Sequence, residues 1–82
     1  MGELQVVSVE RRNKRAFRAV IRWNFVEVIF VLGSDGNPVV SGKINTEGTR
    51  GPERTYIPPR RYAEMTRMAY AIFNERPKNK EN

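Results

Sequence analysis

The chain has 82 residues, with 15 Lys and Arg against 9 Asp and Glu, no histidine, no cysteine and a formal net charge of +6. This length accommodates one domain with one core and buries only roughly 60 % of the unfolded surface, a thin margin that dimerisation commonly supplements. The absence of cysteine excludes a disulfide framework and a thiolate zinc site, and without histidine only carboxylates remain to hold a metal.

The first ten residues carry neither a basic lead nor a long apolar block, so they do not read as a secretory signal. Residues 4–9 are short and rich in valine, as suits a β-strand. The next stretch, ERRNKRAFRAVIR at residues 10–22, gathers the charge of the whole chain. Arg11, Arg12, Lys14, Arg15, Arg18 and Arg22 face one negative, Glu10, and so supply five of the six net charges. Asn13-Lys14 is a plausible hairpin tip. Residues 16–23 then alternate: Phe17, Ala19, Ile21 and Trp23 share one parity, and Arg18, Val20 and Arg22 share the other. That pattern predicts a half-buried strand whose Phe17 parity faces the core, in an antiparallel hairpin with an arginine-rich tip.

Residues 25–32, FVEVIFVL, read as the strongest strand. Val26, Val28, Phe30 and Leu32 form an unbroken apolar face, and the opposite face is apolar except for Glu27. A strand apolar on both sides in so small a protein implies a central position, a covering helix or a partner chain. Residues 33–38, GSDGNP, are dense in turn chemistry, because Asp and Asn bond their own backbone and Gly accepts positive φ. A weaker strand follows at 39–44, then a glycine- and proline-rich loop at 46–52, expected to be mobile, and a short strand at 54–57. Pro58-Pro59 fits a helix entry, since proline at the first helical position gives up an N–H that has no partner there. The helix is expected over 59–76, stopped by Pro77. Tyr62, Met65, Ala69, Ile72 and Phe73 fall on one stripe with Met68 at its border, and Arg60, Glu64, Arg67, Ala71 and Glu75 trace the solvated side. Glu64 and Arg67 are placed to pair. A single α+β domain over 1–76 results, an antiparallel sheet of four to five strands followed by one packed helix, with residues 77–82 as a disordered polar tail.

The chemistry of the chain argues against an enzyme. The usual general bases and nucleophiles near neutral pH, His and Cys, are missing, and Asp35 sits in a turn. Glu27 reads as a sheet glutamate, at an edge or paired with Arg18 or Arg22 on a neighbouring strand. GSDGN has hairpin spacing and lacks the lysine of a phosphate-binding loop. No cofactor is indicated. No stretch approaches the roughly 20 apolar residues of a membrane helix, so an intracellular protein is expected, cytoplasmic or nuclear, without a membrane partner.

Charge confined to one element, with Phe17 and Trp23 beside it, suggests a surface aimed at a polyanion. Arginine forks suit bidentate phosphate contact, and Trp23, Phe25 or Tyr56 could supply stacking planes, although a lone tryptophan usually belongs to a core. Lys43, Arg50 and Arg54 extend this surface if their strands lie beside the hairpin.

FVEVIFVL, GSDGN and the strand running into YIPPRRYAEMTRMAY, with Tyr62 early in the helix, resemble the single-stranded-DNA-binding transcriptional coactivators of the positive cofactor four type. The resemblance covers residues 17–73. It implies a curved four-stranded antiparallel sheet before one helix, a sheet face and basic hairpin that hold single-stranded nucleic acid, and a helix that pairs in a dimer. The loop at 46–52 departs from the tighter connection of that family.

The expected function is therefore that of a small basic protein binding single-stranded DNA or RNA. Arg11, Arg12, Lys14, Arg15, Arg18 and Arg22 contact phosphates in this reading, and the protein forms a homodimer through its helix or sheet. The alternatives are an interaction module docking the same hairpin on an acidic protein surface, and a structural RNA-binding subunit.

Overall fold

A computed structural model describes residues 3–46 and 55–75. Four strands, β1 (Leu4–Arg12), β2 (Arg15–Trp23), β3 (Val26–Leu32) and β4 (Pro38–Asn45), precede one helix, α1 (Pro59–Phe73). The sheet is an antiparallel meander in the order β1-β2-β3-β4. The fold is thus the expected α+β arrangement of a sheet followed by a single helix. Residues 55–58 form no strand, so no fifth strand exists among the described residues. The expected loop at 46–52, apart from Thr46, and the tail at 77–82 lie outside the described residues, as do Arg50 and Arg54.

Two-residue connections set the register of the first three strands. Asn13 and Lys14 both adopt positive φ, at 54° and 67°, the signature of a type I′ turn. The primed turn matches the strand twist, so pairing continues up to Arg12↔Arg15 and β1 runs three residues beyond its expected end. Asn24, at φ 57°, starts the β2–β3 connection and takes Phe25 out of the strand. The longer β3–β4 turn closes through Gly33 N–H donating to the Asn37 carbonyl at 2.8 Å, with Gly36 at φ 88°.

Val26, Val28 and Phe30 of β3 and Ala19 and Ile21 of β2 are almost wholly buried, and Met65, Ala69 and Phe73 of α1 meet them. Tyr62, Met68 and Ile72 pack at the border of this core, so the apolar stripe of the helix faces the sheet as its spacing predicts. Glu64 pairs with Arg61 at 3.0 Å rather than with Arg67. The helix ends three residues before the expected Arg76. Asn74 donates both its backbone N–H and its side-chain Nδ2 to the Tyr70 carbonyl, at 3.0 and 2.8 Å, and leaves helical geometry at φ −103°, ψ 10°. A short amide side chain that competes for a last-turn carbonyl ends a helix without waiting for the proline.

Three bulges interrupt the ladders, leaving Val7, Phe17 and Ser41 as extra residues. The second matters most. Glu10 pairs with Arg18 but Arg11 pairs with Ala16, so Phe17 has no partner of its own. Ala16, not Phe17, takes the core position, and it is only 2 % exposed. Phe17 is half-buried and does not pack on the core cluster. The expected parity thus holds for Ala19, Ile21 and Trp23 and fails at Phe17, because a bulge shifts the alternation by one residue.

Among the described residues, no helix lies on the opposite sheet face. Cross-strand partners place Arg18, Val20 and Arg22 of β2 beside Val31, Ile29 and Glu27 of β3, which in turn lie beside Val39, Gly42 and Ile44 of β4. Val39 and Ile44 are about half exposed there.

Candidate nucleic-acid interface

The tight turn that joins β1 to β2 decides which cations gather. It sets Arg12 directly opposite Arg15, with Lys14 between them, and all three are exposed. Like charges on facing strand positions repel. Among the described residues, neither Lys14 nor Arg15 has an acidic partner, and Arg12 has none either. Arg12 instead lies over the Phe17 ring, its Cζ 5.1 Å from the centroid. The bulge therefore delivers an aromatic plane to the tip. Arg12, Asn13, Arg15 and Phe17 surround an open hollow of about 370 Å³.

The other arginines of the hairpin are paired. Arg11 Nη2 reaches Glu75 Oε1 beyond the end of α1 at 3.1 Å, and Arg18 Nη1 reaches Glu10 Oε2 across the ladder at 2.8 Å. Both pairs are solvent-exposed, a setting in which an ion pair contributes about 0–1 kcal/mol, so a phosphate can displace the carboxylate at small cost. Arg22 is held more firmly. Its Nε and Nη2 donate to one oxygen of the facing Glu27, at 3.2 and 2.8 Å, and the Glu27 side chain is only 16 % exposed. This pair is one of the partnerships the sequence suggests for Glu27.

Trp23 sits at the opposite end of β2 from the tip, paired with Leu4 and Val26, and its ring packs against the core. Its Nε1 is buried with no hydrogen-bond partner among the described residues. The stacking surfaces expected from Phe25 and Tyr56 are exposed, at 38 % and 66 %, but neither lies on the hairpin. Lys43 projects on the helix side of β4, with Nζ 5.7 Å from the centroid of the Tyr62 ring. It sits opposite Val28, two strands away from the hairpin, and does not join the tip. Among the expected contact residues, the structure thus brings together Arg12, Lys14 and Arg15, flanks them with Arg11 and Arg18, and separates Arg22, Trp23 and Lys43 from them.

Phe17 is the tip residue that sequence reasoning assigns to the core. Its signal is slight: Ala16 and Ala19, the small residues buried beneath the helix, are three positions apart, a spacing that no regular strand places on one face. Among the described residues no cluster of His, Cys, Asp or Glu is grouped to hold a metal ion, and no helix is long and apolar enough to cross a membrane. No protein-family model, curated protein or solved structure matches the chain.

Proposed function

We propose that the protein binds single-stranded nucleic acid, DNA or RNA, through the tip of its first hairpin. It acts inside the cell as a non-enzymatic regulator of the kind its resemblance to the coactivator family implies. One observation carries this reading: Arg12, Lys14 and Arg15 are crowded at a two-residue turn, and among the described residues no carboxylate pairs with them. Such a cluster costs folding energy through like-charge repulsion, and a polyanion relieves that repulsion. Arg11 and Arg18 join by exchanging carboxylates for phosphates, and Arg22 stays with Glu27.

Phosphate-led binding by three free cations gives a slope of about −2 in log affinity against log salt concentration on single strands. Exchange of the Arg11 and Arg18 pairs steepens it. The test is titration of a fluorescent oligonucleotide at two salt concentrations with the wild type and with R12E/R15E. The charge-reversed variant is expected to lose binding while keeping its circular dichroism. Equal affinity of the two proteins refutes the proposal.

The protein is also proposed to form a homodimer, through the bare sheet face rather than the helix. That face is apolar at Val20, Ile29, Val31, Val39 and Ile44, and the two arginines beside this strip, Arg18 and Arg22, are each paired with a glutamate, whereas Arg12 and Arg15 lie at its hairpin-tip end. A neutral apolar surface suits a second copy of itself better than a phosphate backbone.

A further inference from the structure

We propose that the hollow at the hairpin tip is a subsite for one unpaired nucleotide, with Phe17 and Arg12 as the stacking platform for its base and Arg15 as the clamp on its phosphate. This rests on the nucleic-acid reading above and gives it a chemical class of ligand: a flat aromatic ring bearing a phosphate. Three features argue for it. The hollow is lined by one aromatic residue, Phe17, two arginines, Arg12 and Arg15, and Asn13. Its volume of about 370 Å³ falls within the roughly 300–1,000 Å³ of sites that hold small molecules.

The Arg12 guanidinium already lies over the Phe17 ring. A guanidinium plane and an aromatic face are the two surfaces on which splayed bases stack in single-strand recognition. Arg15 has no ion pair among the described residues and can present its fork to a phosphate. Asn13 offers both a donor and an acceptor to a base edge.

The bulge supplies the reason for Phe17. Regular alternation would put this ring in the core. A single extra residue instead leaves the core position to Ala16 and brings a large apolar ring to an otherwise polar tip. Bulges beside functional sites re-aim side chains in this way. Trp23 cannot serve the same purpose, because its ring is packed against the core at the far end of β2.

The experiment compares oligothymidine with an abasic deoxyribose-phosphate oligomer of the same length. Both carry the same phosphates, and only one has bases to stack. Wild type is expected to bind oligothymidine more tightly. F17A is expected to lose about 5- to 100-fold on oligothymidine, the range for one stacked base, and to bind the abasic oligomer as before. F17L keeps apolar bulk beneath Arg12 but removes the aromatic plane, so it shows the same selective loss even where F17A perturbs the hairpin. A single-tryptophan variant, F17W/W23F, gives a direct optical readout, with quenching by oligothymidine and none by the abasic oligomer. Equal affinity of wild type for the two oligomers, or an F17L loss that is the same on both, overturns the subsite and leaves phosphate binding standing. Failure of wild type to bind either oligomer overturns the nucleic-acid reading itself.

Discussion

Trp23 shows how one side chain can satisfy packing and violate hydrogen bonding together. Its ring packs on the core while Nε1 is buried without a partner among the described residues, and an unmade buried hydrogen bond costs about 1–3 kcal/mol. Replacing Trp23 by Phe removes the orphaned donor and keeps an aromatic ring, so the smaller packing loss is offset. Chemical denaturation of W23F should report a stability within about 1 kcal/mol of wild type, and W23A should lose about 3 kcal/mol, the lower end of the range for aromatic truncation. Asp35 is a second local case. The Asn37 backbone N–H, then the Asn37 side-chain amide, donate to its carboxylate and hold its pKa below the ordinary 3.8. A lowered folded pKa means that the Asp35 contribution is fully present above 3.8 and fades as pH falls through the folded value. Titration of the Asp35 side-chain carboxyl by NMR should therefore give a midpoint below 3.8, and N37A should move it upward. The lone indole favours a core role already in the sequence. That its nitrogen is buried depends on the pairing of Trp23 with Leu4 and Val26 on the neighbouring strands and on the packing of its ring on the core, and nothing local encodes that.

Each secondary-structure element is legible to the extent that its signal is local. The apolar face of β3, the Asn13-Lys14 turn and the α1 stripe follow from short-range pattern, and all three stand in the structure. The strand expected at 54–57 does not form over its described part, residues 55–57, because a strand exists only where a partner offers its edge. The Phe17 bulge is hidden for a related reason: pairing to β1 creates it, and counting along β2 cannot. Its consequence is large, since the composition of the candidate site changes with it. At the hairpin itself, folding and charge pull apart. A type I′ turn wants Gly at its second position, yet Lys14 occupies the left-handed region at φ 67°. K14G should raise stability by about 0.5–1 kcal/mol in thermal or chemical unfolding by relieving that backbone. The same substitution should weaken oligonucleotide binding and flatten its salt slope by about 0.7, the share of one phosphate contact. A Lys at a position where Gly folds better is a local cost to folding, as the proposed binding role of the tip would entail. The β3–β4 turn has the opposite character. A Cβ on Gly33 would lie 2.9 Å from both the Asn37 carbonyl oxygen and Val39 Cγ2, so G33A should destabilise the turn without touching binding at the tip.

At the scale of the whole molecule, the helix covers one face of the sheet and leaves the other bare, and the charges divide accordingly. Arg12, Lys14 and Arg15, without an acidic partner among the described residues, sit at the end of the β1–β2 hairpin, and Arg18 and Arg22 are ion-paired beside the apolar strip of the uncovered face. The sequence pattern of β3 implies a central position, a covering helix or a partner chain. Which of these serves each face depends on where α1 lands, and the diagonal from Lys43–Tyr62 to Arg11–Glu75 places α1 wholly on the Phe30 side. The solvent side of α1 carries Arg60, Ala63, Arg67, Ala71 and Asn74 around a single large exposed ring, Tyr70, whereas the uncovered sheet face offers an apolar strip spread over three strands. In an isologous pair of bare faces, Val39 and Ile44 of each copy are covered. The exposed Arg18–Glu10 pairs can exchange partners across the two-fold axis. Two copies joined this way carry two tips on one particle, so a strand long enough to reach both is held by effective concentration as well as by contact. V39E/I44E should therefore sediment as a monomer where the wild type sediments as a dimer. It should keep the wild-type affinity for an oligomer that fills one tip and lose the extra affinity for one that spans two. A wild type that stays monomeric at high concentration, or a variant that still dimerises, would place the interface elsewhere.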